Sequence, residues 1–144
     1  MKLSRRGRYG IRLLIDLAQR KNEGLVTLAS AAERQHISMR YLEQVAIILR
    51  RAGFIRSVKG SAGGYILARA PEDIIIGDAL RQLEGDMLII DPPIEGELET
   101  KLQRTVRRVV FDAINERVAR VIDRETLASL AGTFENGESY MYFI

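Results

Sequence analysis

The chain contains no cysteine and a single histidine, His36. The first absence removes disulfides, cysteine-ligated zinc, thiolate-held iron–sulfur clusters and thiol chemistry together. The lone histidine falls in a predicted turn, gives no basis for acid–base chemistry, and is not expected to ligate a metal. No apolar run approaches the ~18 residues of a membrane span. Met1-Lys2-Leu3-Ser4 leads into charge, so no secretory leader is expected and a cytoplasmic location is. No P-loop or Rossmann glycine pattern is present, so no enzyme is expected. Repeats and low-complexity tracts are also missing.

What is present is a divided charge. The chain has 144 residues, 47% of them apolar, enough for one domain with a core, or one small domain plus an appendage. The net charge of +3 conceals an asymmetry. Residues 1–70 carry 14 Lys/Arg against 4 Asp/Glu, a charge of +10; residues 71–144 carry 8 against 15, a charge of −7. The basic half is suited to a polyanion, and the acidic half is left for other work.

Helix signals fill the basic half. Ser4 is a good N-cap for a helix to about Arg20, with Tyr9, Leu13, Leu14, Leu17 and Ala18 on one face. Thr27 caps a short alanine-rich helix, Leu28 to about Gln35. His36-Ile37 makes a turn, and Ser38 caps a third helix, Met39 to Ala52, ended by Gly53. Its buried stripe is Leu42, Val45, Leu49 and Ala52, and Met39, Arg40, Glu43, Gln44, Arg50 and Arg51 lie on its other face. Two short helices about a tight turn, with polar reach at the start of the second, make a helix-turn-helix pattern.

Directly behind it come two β-prone arms, Phe54–Val58 and Tyr65–Leu67, joined by Lys59-Gly60-Ser61-Ala62-Gly63-Gly64. Glycines permit close approach of backbone to a phosphate chain, and Lys59 adds charge, so this hairpin reads as a wing. The glycines run from strand to strand, not into a helix, which excludes a nucleotide loop.

The acidic half is more extended. Pro71 marks a boundary, Ile76-Gly77-Asp78 opens a helix through about Leu83, and residues 85–97 read as a linker. A long helix follows from about Glu97 to Ile122, with Leu98, Leu102, Val106, Val109, Ala113, Val118 and Val121 in a row. At ~25 residues and roughly 37 Å it is too long to bury against so small a domain. It is therefore expected to pair with its copy in a homodimer, partly as a coiled-coil-like seam. Thr126 to Ala131 reads as a short helix, and the tail is aromatic. The expected fold is mainly α with a small β-hairpin. It comprises a winged helix-turn-helix domain over 1–83, a linker over 84–97, a dimerisation helix region over 98–131 and a C-terminal tail over 132–144.

The pattern assigns roles for double-stranded DNA. Ser38, Arg40, Tyr41, Glu43 and Gln44 occupy the first two turns of the third helix, which enters a major groove N-terminus first. Arginine pairs with guanine, glutamine with adenine, and glutamate accepts from cytosine N4. Glu43, a carboxylate among phosphates, is expected to discriminate more than to add affinity. Core packing is the alternative role for Tyr41. Arg5, Arg6, Arg8, Arg50, Arg51 and Arg56 are expected on phosphates, and Lys59, Gly60 and Ser61 form the wing tip.

Three stretches, MKLSRRGRYGIRLLIDLA, ISMRYLEQV and LRRAGFIRSVKGSAGGYILAR, resemble the IscR/NsrR/CymR group of bacterial winged-helix regulators. The resemblance implies a homodimeric transcription factor, usually a repressor, bound to an imperfect palindrome, with Lys59 and Gly60 at a wing tip entering the minor groove. Two departures stand out. The wing cation in relatives is commonly arginine, and lysine, more strongly hydrated, fits a narrow minor groove less well. Cluster-binding members carry three cysteines after the winged domain. Here Leu88–Glu95 has none, so no iron–sulfur cofactor and no metal is expected. The acids Asp91, Glu95, Glu97 and Glu99 read as a solvated linker rather than a hard-metal site.

The cysteine-free linker and aromatic tail look most like the CymR branch, repressors of sulfur and cysteine metabolism. That likeness implies signalling through a partner, cysteine synthase (O-acetylserine sulfhydrylase). Tyr142, Phe143 and Ile144 would enter its active site, with the terminal carboxylate on backbone donors and O-acetylserine competing. The alternatives are an interaction subunit whose main role is to occupy that enzyme, and a repressor that binds a small effector directly.

Overall fold

The structure, a computed structural model, describes residues 2–133. Tyr142, Phe143 and Ile144 lie outside the described residues.

Helix α1 (Arg5–Gln19) starts at Ser4, whose hydroxyl accepts from the Gly7 N–H. Helix α2 (Leu28–Gln35) is capped by Thr27 and ends at His36, in the left-handed region at φ 53°. The His36 N–H donates to Glu33 O at 3.3 Å and the Ile37 N–H to Ala32 O at 3.0 Å, closing the turn tightly. Helix α3 (Met39–Arg51) begins at once, with the Ser38 hydroxyl accepting from the Tyr41 N–H. Strands β1 (Ile55–Val58) and β2 (Gly64–Leu67) pair antiparallel, Ile55 opposite Leu67 and Val58 opposite Gly64. A 3₁₀ turn at Pro71–Asp73 leads to α4 (Ile76–Glu84). The fold is mainly helical with one small hairpin, the winged helix-turn-helix arrangement.

One core holds these parts together. Leu13, Leu14 and Leu17 of α1 meet Leu42, Val45 and Leu49 of α3 and Ala79, Leu80 and Leu83 of α4, closed below by Phe54, Ile55 and Ile74. Each fully buried leucine or isoleucine contributes roughly 2 kcal/mol against exposure. Leu127 and Ala131, from beyond the long helix, also enter this core. The Leu127 N–H donates to Ile74 O at 2.8 Å, and the Ile76 N–H to Glu125 O at 2.9 Å, so the chain returns to the winged domain after the long helix.

That helix differs in detail from its sequence pattern. It begins at Lys101, not near Glu97, and continues to Arg124. Helix α5 (Lys101–Val106), a π-helical stretch (Arg107–Phe111) and α6 (Asp112–Arg124) follow without a break. Leu98 extends the apolar row backwards, but Thr100 decides the start. Its hydroxyl accepts from the Gln103 N–H, and the Gln103 side chain accepts from the Thr100 N–H, a capping box. The whole run is about 36 Å long, and none of its residues is fully buried.

The helix is fastened to α4 by Arg81, which donates to both oxygens of Asp123 at 2.6 and 2.8 Å. Asn115 holds the linker: its Oδ1 accepts from the Ile89 N–H and its Nδ2 donates to Ile90 O. Arg107, in the π-helical stretch, takes Glu99 through two bonds of 2.8 and 2.9 Å, and Asp112 at 3.0 Å. The Arg107 bonds hold the Glu99 carboxyl below its ordinary value.

Candidate nucleic-acid interface

The arginines divide into two populations. One is occupied within the fold. Arg34 donates to both oxygens of Asp16, a residue 1% exposed, at 3.0 and 2.7 Å, tying α2 to α1. Hydrogen bonding to Asp16, outweighing the burial that opposes it, raises the Arg34 guanidinium above its ordinary value. Arg12 caps the end of α2 through Gln35 and lies over the Tyr9 ring. Arg69 donates to Ala52 O and Gly53 O and lies 4.5 Å over the Phe54 ring.

The other population makes no long-range bond among the described residues, Arg8 reaching only Ser4 O at 3.4 Å. Arg5, Arg6, Arg8, Arg40, Arg50, Arg51, Arg56 and Lys59 are all exposed. Among the described residues none of them forms an ion pair. Cations without acidic neighbours repel one another, and a phosphate chain relieves that repulsion.

Along α3, Ser38, Arg40, Glu43 and Gln44 are exposed. Tyr41 is half-buried, its ring meeting the Tyr9 ring of α1 edge-on at 5.3 Å between centroids. The Tyr41 ring is thus part of the α1–α3 contact. Two exposed α3 side chains to which the sequence pattern assigned no role, Met39 and Ile47, share this surface. The sequence pattern set Met39 on the outer face; Ile47 reads as an ordinary member of an amphipathic helix, and the packing of the described residues leaves it 41% exposed.

The wing is anchored at its base. Tyr65 and Val26 exchange backbone bonds of 2.7 and 3.0 Å, which fixes β2 to the segment before α2. At the tip, Lys59, Gly60 and Ser61 are exposed. Gly60 has φ 117°, a conformation L side chains rarely adopt. A Cβ on Gly63 would collide with Val58 O, so the turn needs a glycine there. The glycines therefore shape the tip, and Lys59 is its free cation.

The base of α1 has a long-range cap. Glu84 Oε1 accepts from the Ser4 N–H at 3.0 Å, the Ser4 hydroxyl at 2.6 Å and the Gly7 N–H at 2.9 Å. It thereby sets the start of the helix that carries Arg5, Arg6 and Arg8.

The Rrf2 family model, described as an iron-dependent transcriptional regulator, matches residues 3–133. The chain belongs to the Rrf2 family. It is 39% identical to the HTH-type transcriptional regulator CymR of Bacillus subtilis, over the full length of both. It is 37% identical to Protein rrf2 of Nitratidesulfovibrio vulgaris, over 90% of this chain and 87% of that one. Among solved structures, CymR (YrzC), the global cysteine regulator of B. subtilis, superposes with a TM-score of 0.79 at 36% identity, covering 92% of this chain and 97% of that chain. T. potens IscR follows at 0.74 and 41%, covering 99% and 96%. As an Rrf2 protein of the CymR type, the chain is a DNA-binding transcriptional regulator.

The iron in the family's description finds no matching donor set here. A thiolate-held cluster needs cysteines, and this Rrf2 chain has none. Among the described residues no group of three or more His, Asp or Glu converges as metal ligands. Glu99, the half-buried acid of the linker end, is committed to Arg107.

Proposed function

We propose that this Rrf2 protein is a cluster-free, homodimeric repressor that binds an imperfect palindrome and controls genes of sulfur and cysteine metabolism. The observation that carries the reading is the free cationic set on α1, α3 and the wing, surrounding the exposed polar side chains at the start of α3. In the proposed complex α3 enters the major groove. Arg40, Glu43 and Gln44 read base edges, with Ser38 beside them, and Tyr41 contributes its outer edge. Lys59, Gly60 and Ser61 reach the minor groove, and Arg5, Arg6, Arg8, Arg50, Arg51 and Arg56 sit on phosphates.

Dimerisation through the long helix is supported by what it leaves uncovered. Leu102 is 73% exposed, Val109 62% and Val121 57%, and Leu98, just before the helix, 96%. So long an apolar row on a monomer signals a protein partner, and a second copy presents the same row. The metabolic cue comes through cysteine synthase, engaged by Tyr142, Phe143 and Ile144 and displaced by O-acetylserine. This part rests on the CymR likeness.

The test is binding of the purified protein to genomic fragments it occupies in cells, against scrambled duplex. If a dimer neutralises about 8 phosphates, log K against log salt falls with a slope of about −7. Glu43→Ala and Gln44→Ala flatten the preference between sites more than they lower affinity. Equal affinity for operator and scrambled duplex, with and without cysteine synthase, rejects the reading. Undiminished binding of cysteine synthase after deletion of Phe143 and Ile144 rejects the tail's role alone.

A second reading, direct binding of a small effector, is supported by a cavity of about 450 Å³ between linker and long helix. Ile90, Leu98, Leu102, Val106, Arg107 and Phe111 are among its walls. Calorimetry with O-acetylserine and no partner protein separates the two.

A further inference from the structure

Helix α3 exposes two large apolar side chains among charged and polar ones. Met39 is 42% exposed and Ile47 41%. With Glu43 they stand at i, i+4 and i+8, one ridge of the helix. Beside that ridge is a cleft of about 460 Å³, lined by Met39, Glu43 and Ile47 with Thr27 and Leu28 of the α2 start and Gly64 and Tyr65 of the wing. The apolar ridge therefore lies on the recognition helix, on the side that faces the start of α2 and the wing.

Folding does not account for it. The core side of α3 is complete with Leu42, Val45, Ala46 and Leu49. The row suited to a second copy is elsewhere, on the long helix. The neighbours of the ridge, Arg40, Arg50 and Arg51, are free cations that point to a polyanion as the occupant of this face. Inside a major groove one base substituent is apolar, the 5-methyl of thymine.

We propose that Met39 and Ile47 are specificity residues that contact thymine methyl groups on either side of the base read by Glu43. The ridge then reads a pyrimidine pattern: methyl, cytosine N4 donor, methyl. With α3 running along the groove, the rise of about 6 Å between neighbours at i and i+4 spans about two base steps of about 3.4 Å, so each thymine lies within about two steps of that cytosine. The inference rests on the DNA-binding reading above and adds to it a class of contact that charge cannot supply.

The experiment replaces each thymine of an occupied half-site, one at a time, by deoxyuridine. The exchange deletes the methyl and leaves every hydrogen-bonding group in place. Wild-type protein is expected to lose about fourfold in affinity at one or two positions, the worth of a buried methyl. In Met39→Ala the loss disappears at one position, and in Ile47→Ala at the other, while the salt slope of both variants stays that of the wild type. Both side chains are exposed, so both variants are expected to keep the wild-type melting temperature. The uridine series on wild type is informative even without them. Indifference of wild type to every uridine, with operator preference intact, overturns this inference and leaves the DNA-binding reading standing. Losses that persist unchanged in both variants also overturn it, because the methyls then act through duplex shape. Absence of any operator preference overturns both.

Discussion

Asp16 is the buried charge on which the helix-turn-helix depends. Its two oxygens are filled by Arg34, and Arg20 Nε approaches at 3.7 Å without bonding. That Arg20 nitrogen is buried and unpartnered among the described residues. Removing the carboxylate charge therefore leaves the Arg34 guanidinium without its two-oxygen partner, while Arg20 keeps Glu23 at 3.4 Å. Asp16→Asn is expected to cost about 3 kcal/mol, the low end for breaking a buried pair, because the Arg34 side chain remains 32% exposed. Urea unfolding measures it, and a midpoint within error of wild type removes the assigned role. Asp16→Asn is also expected to weaken operator binding, since it loosens the α1–α2 angle that presents α3. Glu84 acts at the same scale on the other end of α1, where one carboxylate oxygen collects three donors. Neither residue signals itself locally: Asp16 and Arg34 are 18 positions apart, and Glu84 and Ser4 are 80 apart.

At the scale of elements, the attachment of the long helix to the winged domain is electrostatic where it is not apolar. Hydrogen bonding by Arg81 lowers the Asp123 carboxyl below its ordinary value, and the same bond raises Arg81. A carboxyl lowered in the folded state binds its proton less readily than in the unfolded chain. The stability it contributes is present above the unfolded value, about 3.9, and is lost as pH falls through the lower folded value. Glu99 behaves alike through Arg107. Acid is therefore expected to loosen the long helix and the linker together, below about pH 4. The urea midpoint should fall between pH 5 and pH 3, and Asp123→Asn should show a smaller fall than wild type. An identical fall in both assigns the acid sensitivity elsewhere. Caps and stops were legible in the sequence because they are local. Ser4, Thr27 and Ser38 each accept from an N–H three residues on, and Gly53 follows α3. The start of the long helix was not, because Leu98 continues the apolar periodicity through a position that the Thr100–Gln103 box cuts off. A π-helical stretch has no sequence signature, and Ile47 looks like any member of an apolar pattern until the packing around it is known.

Taken whole, the molecule sets a basic head against an acidic, apolar-edged arm, and the proposed function depends on two heads acting together. The phosphate contacts of one head give weak, salt-sensitive binding, and linking two heads turns the second encounter into an intramolecular one. Leu102 tests this coupling cleanly. It is 73% exposed, lines the cleft between linker and long helix, and belongs to no part of the winged core. Leu102→Glu places two like charges in an apolar seam and leaves the winged core untouched. Sedimentation is expected to give a monomer with unchanged circular dichroism and melting temperature extrapolated to low concentration. Affinity for a full palindrome should drop roughly 100-fold or more, while affinity for an isolated half-site stays at the wild-type value. A dimer that survives the substitution moves the interface off this helix. A monomer that binds the full palindrome undiminished removes the premise that two heads are coupled, because a rigid link between half-sites would then contribute nothing to recognition.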